Sequence, residues 1–201
     1  LHDFCDGYRI NHQEKENHLR RAREFKKGRL SLEEELKLDY DELIRLLKFA
    51  GKKTNIFMVS SNHHAFLPRY INEEDWMKND LWNADIGSYL YNKGISLDLP
   101  ESEIDDASYL LEEGLKRMGQ LPDRLKFLRL KDNLRRHGYQ LASHGDKGGR
   151  GAPGGGAKSR ETIGGGKSVT GHSHSMEIYG NVYIVGTNGL LDQPYAAGYG
   201  N

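Results

Sequence analysis

The sequence predicts an α/β fold in which a largely helical, charged stretch interrupts the strands. Three observations carry that expectation. A helix with its own start and stop signals runs into a short β-rich segment, and further short apolar segments recur near residues 139 and 167. Each of these segments ends in histidine or Asn-His, as expected where an α/β sheet presents its site at the carboxyl ends of its strands.

Residues 1–28 are polar and dense in His, Arg and Lys, and read as a strand end running into an active-site loop. Ser31 and Glu34 then form an S-x-x-E capping box. Leu32, Leu36, Tyr40, Leu43, Leu47 and Ala50 follow at helical spacing, and Gly51 supplies the stop. Residues 55–60 (Asn-Ile-Phe-Met-Val-Ser) read as a buried strand delivering Ser61-Asn62-His63-His64. From about Pro68 to Gly138 the pattern is mostly helical, with amphipathic helices expected over 101–117 and 122–136. Its aromatic residues Trp76, Trp82, Tyr89 and Tyr91 are compatible with a homo-oligomer interface. A second strand, 139–143, ends at His144. Residues 145–166 are nearly half glycine and read as a long mobile or ligand-ordered loop carrying Lys147, Arg150, Lys158 and Arg160. Residues 167–170 are a strand leading to Gly171-His172-Ser173-His174, and 176–179 and 182–185 form a hairpin around Gly180-Asn181.

Composition excludes several classes. Basic and acidic residues balance at 29 each, so no global positive field announces a polyanionic partner. The single cysteine, Cys5, excludes an internal disulfide framework and cysteine-based zinc fingers; it reads as an inert packing residue in a reducing cytosol. No apolar run reaches the length of a membrane span. Gly166-Lys167-Ser168 mimics the end of a P-loop, but Glu161 stands where its first glycine belongs, so the motif is rejected.

Each histidine motif is weak alone. Asn62-His63 also describes a turn, His144 a polar loop start, and His172-x-His174 two surface histidines on a hairpin. His12 and His18 read as solvated loop residues near the site, and Arg69 as either a phosphate contact or a structural ion-pair partner. The weight lies in the order N-H, then H-G, then G-H-x-H, each after an expected strand. Imidazole and Asn carbonyl groups converging from strand ends suit divalent Mn, Fe or Zn.

In that order the motifs resemble those of the calcineurin-like metallophosphoesterases, from the end of the family's G-D-x-x-D motif onward. Leu1-His2-Asp3-Phe4 is similar to the last part of that motif, Asn62-His63 to the third, His144 to the fourth and His172-Ser173-His174 to the fifth. The resemblance spans nearly all of residues 1–201 as one domain, with 70–138 as a helical insertion. It implies an αββα fold, a β-sandwich flanked by helices, holding two divalent metal ions, Mn first with Fe, Zn or Mg as alternatives. It further implies that Asn62, His144 and His172 hold one metal and His174 the other, that His63 protonates the leaving-group oxygen, and that Asp3 orients His63. Ser61 and His64 depart from the family's Gly and its Asp or Glu. The family's D-x-H motif and bridging Asp have no counterpart in these residues and are expected just before Leu1.

The long polar loop and helix between Asp3 and Asn62 resemble phage-encoded and bacterial members of the superfamily, which places the protein in the cytoplasm, that of the host if phage-encoded. The implied activity is phosphoester hydrolysis by metal-activated water, with DNA the first substrate and Arg69, Lys147 and Arg150 its contacts. A small phosphomonoester or nucleotide comes next. A catalytically silent relative that binds nucleic acid or a protein partner is the reading from another class.

Overall fold

The computed structural model describes residues 1–10, 18–100, 106–146, 155–164 and 166–186. Two compact units are present, Leu1–Asp132 and Asn133–Asn201. Both mix helix and strand, so the α/β class is observed. No helix among the described residues is long and apolar enough to cross a membrane.

The first unit is built around a long helix, α2 (Leu32–Phe49). Its start is the expected one: the Ser31 hydroxyl accepts a hydrogen bond from the Glu34 amide at 3.1 Å, satisfying one of the helix's orphan donors. The buried stripe Leu32, Leu36, Leu43 and Leu47 faces the core. That core is shared with Ile86 and Leu90 of α5 (Ala84–Ser96), Leu111 and Leu115 of α6 (Ser108–Met118) and Met58 of β1 (Ile56–Val59). β1 pairs in parallel with β2 (Leu125–Leu128), from Ile56 opposite Leu125 to Val59 opposite Leu128. On the other side of β1, the Leu1 backbone nitrogen donates to the Phe57 carbonyl at 2.5 Å and the Leu1 carbonyl accepts from the Val59 amide at 2.8 Å. Short helices α3 (Phe66–Asn72) and α4 (Asp75–Lys78) follow the β1 turn.

A buried polar knot ties the start of α2 to the 3-10 turn Leu81–Asn83. The Asn83 carboxamide accepts from the Leu32 amide at 2.8 Å and donates to the Leu30 carbonyl at 2.8 Å and to Asp80 Oδ2 at 3.0 Å. The Tyr70 hydroxyl donates to the same Asp80 oxygen at 2.8 Å.

The second unit is a five-stranded sheet in the order β3-β4-β5-β7-β6: β3 Arg135–Arg136, β4 Tyr139–Gln140, β5 Lys167–Thr170, β6 Met176–Tyr179 and β7 Val182–Val185. β4, β5 and β7 run parallel, while β3 and β6 are antiparallel to their neighbours. The expected hairpin around Gly180-Asn181 is present, with Gly180 at φ +54°. A helix, α7 (Ala157–Gly164), packs Ala157 against Val182 and Ile184.

Three sequence expectations are corrected. The stretch 122–136 is not a helix: it holds β2 and β3. Leu125, Phe127 and Leu128 fit either period, and pairing beside β1 decides for strand. Residues 1–28 are not all loop, because α1 (His18–Lys26) is helical. The glycine-rich segment is helical over Ala157–Gly164, where glycine gives way to Ala-Lys-Ser-Arg-Glu.

Two substitutions probe this core. Leu43→Ala, at a fully buried position, is expected to destabilise the first unit by about 2–5 kcal/mol. Asn83→Ala orphans the Leu32 amide and the Leu30 carbonyl and is expected to cost about 2–4 kcal/mol. Urea unfolding followed by circular dichroism measures both.

Candidate functional site

In the first unit, β1 ends in the turn Ser60-Ser61-Asn62-His63-His64, which leads into α3. Ser61 and His64 point inward and are buried, whereas Asn62 is exposed and His63 partly so. The segment turns with i to i+3 hydrogen bonds, the Phe66 amide donating to the His63 carbonyl at 3.1 Å and the Leu67 amide to the His64 carbonyl at 3.2 Å, so residues three apart share a face. His63 Nδ1 donates to Asp6 Oδ1 at 2.9 Å. Burial of the ring opposes its charge, but this hydrogen bond and the charges of Asp3 and Asp6 outweigh that and raise the His63 pKa above its ordinary value. The motif order predicts Asp3 as the hydrogen-bond partner. In the structure Asp6 makes a hydrogen bond to His63, and the Asp3 charge also acts on the ring. Gly7, at φ +66°, makes this placement feasible: a Cβ there would come within 2.6 Å of the Phe66 ring, over which the Asp6 turn folds. The second carboxylate in Asp3-Phe4-Cys5-Asp6 is the signal for it in the sequence.

Phe66 packs against His63 with ring centroids 5.8 Å apart, and the Arg69 guanidinium lies 5.9 Å from the Phe66 centroid. Arg69 is exposed on α3, one ring removed from His63.

Behind His63 and His64 lies a small cavity of about 20 Å³, bounded also by Cys5, Glu35 and Asp39. Burial pushes the Asp39 carboxyl up to about 7, against a hydrogen bond with Cys5 that favours its ionised form; the charges of Glu35 and Asp6 add to the rise. Burial, followed by the Asp39 charge, holds the Cys5 thiol well above its ordinary pKa, which favours the protonated form.

In the second unit, His144 and His172 come together edge to face, with ring centroids 5.2 Å apart at 86°. One ring nitrogen of each lies within 4.8 Å of the other. Two imidazoles suit Mn, Fe or Zn, so this pair fits the metal the sequence implies. The loops are stapled by the Gly171 amide donating to the His144 carbonyl at 3.0 Å. The H-x-H segment is not extended. His172 is at φ +67°, the Ser173 amide donates to the Gly171 carbonyl at 2.8 Å, and His174 is exposed. His172 is thereby turned toward His144 rather than set beside His174.

Arg160, expected among the loop cations, is instead buried on α7. It donates to the Thr170 hydroxyl and, at 3.1 Å, to the Gly171 carbonyl, and burial lowers its pKa. It holds the end of β5 in place. Lys147, Arg150 and His12 lie outside the described residues, as does the side chain of His18.

Over 199 residues, 98% of its length, the chain is 28% identical to Protein A1 of Escherichia phage T5. The chain is a distant homologue of that phage protein. It spans about a third, 34%, of that relative's length. No protein-family model and no solved structure matches the chain.

The raised pKa values of Asp39 and His63 each give a test. Asp39 has a folded pKa raised above its ordinary 3.8, so its contribution to stability is complete near pH 4 and is lost as pH rises through about 7. Asp39→Asn is therefore expected to raise stability at pH 8 by on the order of 1–3 kcal/mol and to change little at pH 4, as read by thermal melting. For His63, Asp6→Asn removes an acceptor and a charge; the imidazole pKa, followed by NMR chemical shift, should fall toward its ordinary value. An unchanged pKa would show that Asp6 does not support the ring.

Proposed function

We propose that the chain carries part of the site of a metal-dependent phosphoester hydrolase acting on DNA, within an αββα fold of the calcineurin-like metallophosphoesterase type. The supporting observation is the paired His144 and His172 rings, the fourth and fifth elements of the motif order. Asn62, His144 and His172 are the ligands this reading assigns to one divalent ion and His174 to a second. Such ions supply Lewis acidity and an activated water.

The chain's own residues define the acid. His63, with its Nδ1 proton held by Asp6, keeps Nε2 as the atom that gives a proton to the leaving-group oxygen. Its raised pKa keeps it charged to a higher pH than a free imidazole. Asp3 adds negative charge that favours the same protonated state. Arg69, exposed beside Phe66, is the cation proposed to meet a substrate phosphate, with Lys147 and Arg150 assigned the same role from sequence. The distant phage homologue fits a setting in the cytoplasm of an infected host.

Hydrolysis of bis(p-nitrophenyl) phosphate in Mn²⁺ tests the reading. His63→Ala is expected to lower kcat by about 10²–10⁴, and His172→Ala to abolish metal-dependent turnover. Turnover that persists unchanged in both variants would sink the proposal. Plasmid DNA against p-nitrophenyl phosphate then separates nuclease from phosphomonoesterase.

A further inference from the structure

The chain is electrically balanced, but α1 and its C-terminal turn are not. Residues 18–29 hold six cations, Arg20, Arg21, Arg23, Lys26, Lys27 and Arg29, against the single carboxylate Glu24. Glu24 is already engaged with Lys27 at 3.0 Å and Arg29 at 3.8 Å. Arg23 and Lys26 are exposed on the solvent side of the helix.

An aromatic pair joins the helix to the Leu81–Asn83 turn. Phe25 is 55% exposed and Trp82 45% exposed, with ring centroids 5.1 Å apart. The Arg21 guanidinium lies 5.9 Å from the Trp82 centroid and also pairs with Asp80 at 3.3 Å. Trp82 is not on a loose loop. Its neighbours Asp80 and Asn83 are buried and bonded to Tyr70, Leu30 and Leu32, so the indole is held on a fixed mount beside α1.

Exposed aromatic rings set among cations are the chemistry of single-stranded nucleic-acid binding: bases stack on the rings and the phosphates meet the cations. Duplex DNA keeps its bases stacked internally and offers the rings nothing. We propose that α1 together with Trp82 is a docking surface for single-stranded nucleic acid, outside the Asp6–His63 and His144–His172 clusters. This deepens the phosphoester-hydrolase reading by naming the form of its polymeric substrate.

Fluorescence anisotropy with a labelled oligo-dT 12-mer, a duplex of equal length and phosphatidylserine vesicles tests the surface. Binding is read in EDTA, independently of turnover, so failure of the hydrolase reading and failure of this one are separate results. The intact protein should prefer the single strand. Trp82→Ala should weaken that binding about tenfold, leaving the salt dependence intact. Arg23→Gln with Lys26→Gln should reduce the slope of log K against log salt by about 0.7 for each phosphate no longer neutralised. Circular dichroism confirms that each variant stays folded; all three side chains are exposed. Preference for the duplex, binding to the vesicles alone, or affinity and slope unchanged in both variants would each overturn the assignment.

Discussion

The parallel ladder between β1 and β2 is the constraint on which the first unit depends. It pins a four-residue strand under α2 and α6 with Leu1 on its other edge. That fixes where the chain emerges at Ser60. From there the Asn62–His64 turn divides its side chains between core and surface, and Asp6 meets His63 across the same exit. A sliding register would move every one of these groups together, because a one-residue slip exchanges the faces of a strand.

The second unit solves a similar problem by different means. Its loops are positioned by a buried guanidinium, not by a long ladder: Arg160 reaches from α7 to Thr170 and Gly171, and Gly171 in turn clasps His144. Burying that charge has an energetic cost, visible in its lowered pKa. The return is a fixed edge-to-face relation between two imidazoles that nothing in the local sequence would otherwise enforce.

Much of this was legible in the residues themselves. The Ser31 cap, the Leu32–Leu47 stripe, β1, β5 and the Gly180-Asn181 hairpin all follow from strong local signals. So does the placement of Asn62-His63, His144 and His172 after strands. What escaped was set by tertiary contacts. β2 needed its neighbour to choose strand over helix. Asp6 reaches His63 because of how the chain turns at Gly7 over Phe66. Arg160 looked like one more loop cation because only packing distinguishes a buried prop from a solvated charge.

The tether of α1 carries a further meaning. This nine-residue helix has no buried side chain among those described, and Arg21–Asp80 and Phe25–Trp82 are among the contacts that hold it. A helix so short is marginal alone, so α1 is expected among the least protected parts of the unit and to open locally before α2. Its amides will exchange with solvent well before those of α2. A ligand that grips α1 therefore also selects its folded form, and part of the affinity is spent on ordering the helix.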